Sequence, residues 1–409
     1  MQTPLKPLDE ALAELLAQAT PLGERESVSL FDADRRVLAQ DVVSPLQVPP
    51  RDNSAMDGYA LRAADVAQPG VVLPVSQRIA AGHVGQPLAA GTAARIFTGA
   101  PIPRGADAVV MQEECAPLDG ERVQVKARPR PGQCIRRSGE DIARGSTVLP
   151  AGTRLGPAEL GLAASVGLAE LAVARRPRVA LFSTGDELVM PGTVAPAQLP
   201  EGHIYNSNRY FLRSLLQRLG CEVLDLGVVQ DTLAATVAAL ELAAERCDVI
   251  VTSGGVSVGE EDHVKPAVAR LGALDLWKIA IKPGKPFACG HVQSGARRAH
   301  FLGLPGNPVS SFITFALLVR PFLLRLQGVA DVAPLSVAAT AGFDWAKPDK
   351  RREFLRVRRG AQGQLELFPN QSSGVLTSTV WADGVVDNPP GTPIARGDSV
   401  RFIAWTELL

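Results

Sequence analysis

The apolar and polar positions of the chain change period along its length, and each change predicts a different kind of structure. Leu8 to Ala19 has helical apolar spacing, and Val28 to Ala39 reads as strand, loop and helix leading into an extended Asp41 to Val48. Gln47 to Glu113 is rich in valine, glycine and proline, with many short strand candidates and little helix, which predicts a β-rich subdomain. After the proline-broken Arg128-Pro129-Arg130-Pro131-Gly132 and the segment Ile135 to Asp141, helical spacing returns at Pro157 to Val166. Helical material on both sides of the β-rich stretch predicts one elongated domain interrupted by an insertion.

From Arg178 to Gln327 strand and helix patterns alternate. Strands are predicted at Val179 to Phe182, Glu222 to Leu226, Val249 to Thr252 and His300 to Leu302, and helices at Ser207 to Leu219, Leu233 to Arg246, Asp262 to Leu271 and Val309 to Leu326. Such alternation predicts a parallel sheet covered on both faces. Beyond Asp331 short alternating strands follow, at Glu353 to Arg358, Leu365 to Phe368 and Val400 to Ala404. The expected fold class is therefore α/β multidomain. A discontinuous elongated N-terminal domain (1–46 with 141–176) is interrupted by a β-rich insertion (47–140), and a central parallel-sheet domain (177–328) precedes a small C-terminal β-barrel or sandwich (329–409).

At 409 residues the chain exceeds what one core serves, which agrees with about two to four domains. With 42 basic and 42 acidic residues it offers no global field for nucleic acid or an anionic membrane, so any anion site must be local. The five cysteines include no CxxC pair, the five histidines show no zinc-ligand spacing, and neither a signal peptide nor an apolar span of about 18 residues is read. A reduced cytoplasmic protein, with cysteines serving as small core residues, is the expectation.

Thr252 to Gly259, TSGGVSVG, lies between the apolar Val249 to Val251 and the acidic Glu260-Glu261-Asp262. It reads as a strand, a glycine-rich turn and a helix start, where Gly254, Gly255 and Gly259 allow positive φ and an anion can meet bare amides at the helix's positive end. Ser183 to Leu188 and Gly303 to Pro308 are two more loops that open at strand ends. Ile281-Lys282-Pro283-Gly284-Lys285 reads as a stiff cationic loop suited to phosphate. In open α/β sheets such loops converge beyond the carboxyl ends of the strands.

DNSAMDGYA (Asp52 to Ala60), Thr98-Gly99-Ala100-Pro101, Ile135 to Ile142, Ser183 to Leu188, SGGVSVG (Ser253 to Gly259), Ile281 to Pro286 and Leu304 to Pro308 occur in that order over most of the chain. Together they resemble the molybdopterin molybdenumtransferases of the MoeA type, a family similar to the E domain of gephyrin. The resemblance implies a homodimer of L-shaped subunits in which the partner's β-rich domain closes the site of the parallel-sheet domain. It implies a magnesium-requiring reaction in which adenylylated molybdopterin and molybdate give molybdenum-loaded cofactor and AMP. Transient contact with other cofactor-biosynthesis proteins is a possible further partnership.

The family's motifs mark Asp57, Thr98, Glu187, Asp231 and Asp262 as catalytic candidates, with Glu187 and Asp262 holding magnesium, which prefers one or two carboxylates plus phosphate oxygens. Plain alternatives are a turn aspartate for Asp57, a turn hydroxyl for Thr98 and helix caps for Glu187, Asp231 and Asp262. Substrate contacts fall to Arg136, Ser253, Gly254, Gly255, Ser257, Lys278, Lys282, Pro305, Pro308, Arg351 and Ser373, with Arg352 as alternative to Arg351. Arg136 can clamp an oxyanion or pair with Glu140 or Asp141. Lys278 and Lys282, four apart, can point the same way on either a helix or one strand. Two other readings are open: the related adenylyltransferase, against which length and DNSAMDGYA argue, and a scaffold, against which the retained acids and bases argue.

Overall fold

Six strands form the central sheet, in the order Glu222–Val229, Arg178–Thr184, Val249–Ser253, Arg297–Leu304, Pro286–Ser294, Gly272–Lys278. This computed structural model describes residues 5–255 and 263–409. The first four strands are parallel, and the last two are antiparallel to their neighbours. The sheet is thus mixed, and the expectation of a purely parallel one is corrected at its far edge. The inner parallel strands Arg178–Thr184 and Val249–Ser253 are buried on both faces, which explains their nearly unbroken apolar sequence, whereas the edge strand Glu222–Val229 is only partly buried. Val179, Leu181, Val249 and Val251 pack toward the helices Asn208–Arg218 and Pro308–Leu326, while Ala180, Phe182 and Ile250 pack toward Leu233–Arg246 and Val264–Leu271.

The 19-residue helix Pro308–Leu326 is long and apolar enough to cross a membrane, contrary to the expectation that no such run exists, yet 89% of its apolar 18-residue window is buried inside the protein. It is a core helix, wedged between one face of the sheet and the helix Leu8–Ala17. A π turn, Phe315–Val319, falls just before Pro321, whose missing amide cannot continue the regular ladder.

Residues flanking the β-rich stretch pair with each other: Arg25–Ser29 runs antiparallel to Glu170–Ala174, and Val42–Val43 to Thr147–Leu149. The helix expected within Val28 to Ala39 is absent. A short 3-10 turn, Leu30–Asp32, follows the strand, and Val37 and Leu38 are then held extended by bridges to Arg154 and Val173. Between these pairings lies a six-stranded sheet of order Ala108–Met111, Gly58–Leu61, Ala93–Ile96, Val71–Ile79, Arg122–Val125, Cys115–Leu118. The C-terminal strands Arg352–Arg359, Gly384–Asn388, Ser399–Ala404, Val337–Thr340 and Leu365–Leu367 join one further sheet, whose sixth strand, Ile281–Lys282, comes from the loop before Pro286. Four cysteines are buried and Cys134 is half-buried. None forms a disulfide, and burial pushes the Cys221 and Cys289 thiols up to about 12, so they behave as core residues.

Candidate functional site

The chain passes from the Arg178–Thr184 strand outward to Glu222–Val229 and then back across to Val249–Ser253, so the strand order reverses beside Arg178–Thr184. Beyond the carboxyl ends of the four parallel strands lies a cavity of about 670 Å³. Thr184, Gly185 and Glu187 enter it from the first loop, Asp231 from the second, Ser253, Gly254 and Gly255 from the third, and Pro305, Gly306 and Pro308 from the fourth. Gly374 reaches it from the C-terminal region. A larger cavity, about 790 Å³, lies between Pro7–Asp9 and the C-terminal sheet. Of the candidate residues it holds only Arg352, so the smaller cavity is the site.

Glycine is required in the third loop by close approach as well as by conformation. Gly254 has φ +93° and Gly255 φ +66°, and a β-carbon on Gly255 would stand 2.4 Å from Val264 Cγ2. Ser253 is buried, and its Oγ accepts a hydrogen bond from Asn208 Nδ2 at 2.7 Å. Ser257, Gly259 and Asp262 lie outside the described residues. Asp231 is not the cap of the next helix. Thr232 occupies that position, its side chain accepting from Ala235 N, which leaves Asp231 in the cavity wall. Glu187 caps no helix either, since the short strand Leu188–Val189 follows it.

Three candidates lie elsewhere, within the β-rich stretch: Asp57 and Thr98 beside the ends of two strands of its six-stranded sheet, and Arg136 in a separate two-stranded pairing. Asp57 Oδ1 accepts from both the amide (2.7 Å) and the hydroxyl (2.8 Å) of Thr98, which holds its carboxyl below the usual range. The Thr98 hydroxyl, expected to face ligand oxygens, therefore donates to Asp57. Arg136 pairs by backbone with Asn53, on the strand whose Ser54 amide donates to Ala100 O. Its guanidinium forms no ion pair with Glu140 or Asp141. Instead, the neighbouring Arg137 pairs with Asp52. None of Asp57, Thr98 and Arg136 lines the cavity of its own chain.

The cationic loop is corrected in two respects. Lys278 ends a strand of the central sheet whereas Lys282 belongs to the C-terminal sheet, so the two do not share one strand face. Lys282 is also neutralised: its Nζ lies 3.2 Å from Glu353 and 3.5 Å from Asp349, and Arg351 Nη2 lies 2.9 Å from Asp349. Glu353 is buried and further held by Trp345 Nε1 at 2.7 Å. Arg352 points to the other cavity, bonded at 2.6 and 2.7 Å to the buried Asp387, which leaves Arg351 as the arginine beside Lys282. Ser373 O accepts from Val309 N, placing the Ser373–Gly374 loop at the start of the helix that follows Pro308.

Several cavity residues escaped the sequence reading. Asn206, Ser207, Asn208 and Ser310 also line it, and so does Ser183, which the sequence marked only as the start of the Ser183 to Leu188 loop. The available signal was the polar run Asn206-Ser207-Asn208 between an extended segment and an apolar helix, which resembles ordinary helix-start chemistry. Among the described residues no Lys, Arg or His lines the cavity, and its two carboxylates are Glu187 and Asp231.

A cavity at a strand-order reversal, carrying two acids and a tight glycine turn, belongs to the class of α/β enzymes that act on small ligands. Three family models match in sequence: the MoeA N-terminal region (domain I and II) at residues 6–167, the probable molybdopterin binding domain at 180–325 and the MoeA C-terminal region (domain IV) at 338–405. The chain is 41% identical over 385 residues to the molybdopterin molybdenumtransferase of Haemophilus influenzae, covering 93% of this chain and 92% of that one. It is 38% identical to molybdopterin molybdenumtransferase 2 of Mycobacterium tuberculosis, covering 97% and 96%. The crystal structure of the molybdopterin biosynthesis MoeA protein from Pyrococcus horikoshii superposes with TM-score 0.83 at 29% identity, covering 98% of this chain and 100% of that one. The chain belongs to the molybdopterin molybdenumtransferase family, enzymes of molybdenum cofactor biosynthesis.

Proposed function

We propose that this enzyme takes adenylylated molybdopterin and molybdate, releases AMP and leaves molybdenum on the pterin dithiolene, with magnesium, as a cytoplasmic homodimer. The observation that carries the reading is the cavity beyond the parallel strands, where Glu187 and Asp231 stand with no basic side chain among the described lining residues. An anionic substrate entering such a wall needs a cation between its phosphates and the acids. That donor set suits magnesium, which takes one or two carboxylates and leaves its other positions to phosphate oxygens and water. Among the described residues no group of three His, Cys, Asp or Glu could hold a metal ion, and in this reading phosphate oxygens and water complete the coordination. Glu187 would hold the ion with Asp262, and Asp231 would orient water; bound magnesium would neutralise charge on the phosphate oxygens.

The chain's own residues bind and orient the substrate. The Gly255 amide meets a phosphate, the Gly254 amide being already donated to Leu304 O, Pro305 and Pro308 shape a backbone cradle, and Arg351 and Lys282 bind an oxyanion with Ser373 once it replaces Asp349 as their partner. Arg136, Lys278 and Ser257 are further substrate contacts in this reading. Asp57 and Thr98 act in the partner's site, because in their own chain they lie on the β-rich sheet, outside the cavity. The four-part division at 46, 140, 176 and 328 is part of the same proposal. Delivery and acceptor proteins for the pterin would dock transiently.

Anaerobic incubation with adenylylated molybdopterin, magnesium and molybdate should release AMP and form molybdenum cofactor, and chelation should stop both. AMP retained on the pterin under all conditions would overturn the reaction, and unchanged turnover with chelator would remove the metal.

A further inference from the structure

Two buried side chains in the cavity wall each carry a polar atom with no hydrogen-bond partner around it. Asn206 is 2% exposed and Ser183 1%, and both line the cavity. Asn206 Nδ2 and Ser183 Oγ have no hydrogen-bond partner among the described residues. The orientation of the Asn206 amide is fixed by its other half, since Oδ1 accepts from Arg209 N at 3.1 Å, so the NH₂ group is the end left over. The nearby Asn208 differs: its Nδ2 is committed to Ser253 Oγ and Gly306 O, both at 2.7 Å. A buried donor left unsatisfied is costly, and native proteins leave few of them without a ligand or water to meet them.

We propose that Asn206, with Ser183, forms a neutral subsite that fixes the edge of a substrate heterocycle, the Nδ2 group donating to a ring nitrogen or ring carbonyl. This rests on the reading of the substrate as an adenylylated pterin, and it adds how the ring system is recognised. A neutral heterocycle is favoured over phosphate because the described wall carries two carboxylates and no basic side chain. A phosphate against this wall would need a cation, whereas an uncharged ring edge needs only the donors already present. The pterin and the adenine both present such an edge, and the binding probes separate them.

The decisive variant is Asn206→Asp, which keeps the size and the acceptor for Arg209 N but replaces the donor with a second acceptor. Asn206→Ala and Ser183→Ala control for added charge. Calorimetric titration of the full-length protein uses adenylylated molybdopterin, molybdopterin, AMP and inorganic phosphate. Asn206→Ala should weaken the adenylylated substrate about three- to tenfold, Ser183→Ala less, and Asn206→Asp more than either, with unchanged circular dichroism. A matching loss for AMP alone places adenine in the subsite, and a matching loss for molybdopterin alone places the pterin there. Unchanged affinity in folded Asn206→Ala and Ser183→Ala overturns the proposal. So does an Asn206→Asp loss shared equally by inorganic phosphate, because that would be charge repulsion only. Should both Asn206 variants unfold, Ser183→Ala decides alone. Wild-type protein that binds neither pterin probe sinks the parent reading, an outcome distinct from variants that bind like wild type.

Discussion

Asp349 is the carboxylate on which the edge cluster depends. Hydrogen bonds from the Arg351 guanidinium, then from its amide, with the charges of Arg351 and Lys282, hold its carboxyl well below the usual range against the opposing effect of burial. A depressed folded pKa contributes stability that is complete above the unfolded value of about 3.9 and is lost as pH falls from there through the folded value. The melting temperature should therefore decline below about pH 4, and Asp349→Asn should lower it at neutral pH while flattening that acid decline. Melting curves from acid to neutral pH check this, and parallel profiles for variant and wild type would dismiss Asp349 as the responsible group. The residue types of this cluster were legible in the Ile281 to Lys285 loop, but its neutrality was not. Lys282 meets Asp349 and Glu353 across about seventy residues of chain, a pairing that no local spacing encodes.

At the level of elements, strands and helices with strong periodicity were readable, because burial on both faces or on one stripe writes itself into the sequence. The helix Leu233–Arg246 has the predicted bounds. Segments held by partners were not readable: Val37 and Leu38 are extended only because Arg154 and Val173 bridge them. The bend at Ala280, which sends Lys278 and Lys282 into different sheets, is likewise tertiary. The Ser253–Gly255 turn sits between these cases, since its glycines were legible while the reason for the second is Val264. Gly255→Ala should cost roughly 1–3 kcal/mol through its left-handed backbone and the displaced valine. It should also weaken adenylylated substrate binding. Denaturant melts and titration test it, and an alanine variant with wild-type stability would mean that the turn relaxes freely.

For the whole molecule, the separation of Asp57 and Thr98 from the cavity of their own chain predicts shared sites. If each site joins one subunit's cavity to its partner's β-rich sheet, an Asp57→Ala chain mixed with a Glu187→Ala chain forms hybrids with one intact site in two. Unfolding and refolding equal amounts together should return about a quarter of wild-type activity, from random pairing in a two-fold dimer. Verified heterodimers with no activity would show that each site is built within one chain, and a fully active monomer by light scattering would remove the dimer altogether.

The sequence by itself determined the alternating α/β core, the β-rich insertion, the glycine turn and the identity of the acids at strand ends, because each depends on local period or on a residue's own conformational freedom. Tertiary structure decided which of these meet. The strand-order reversal gathers Glu187, Asp231, Ser253 and Pro305 from four loops. It also buries Asn206 and Ser183 with unsatisfied polar groups and leaves the basic candidates Arg136, Lys278, Lys282 and Arg351 outside the cavity wall. Burial and charge neutralisation are properties of neighbours distant in the chain, so no reading of spacing along one segment contains them.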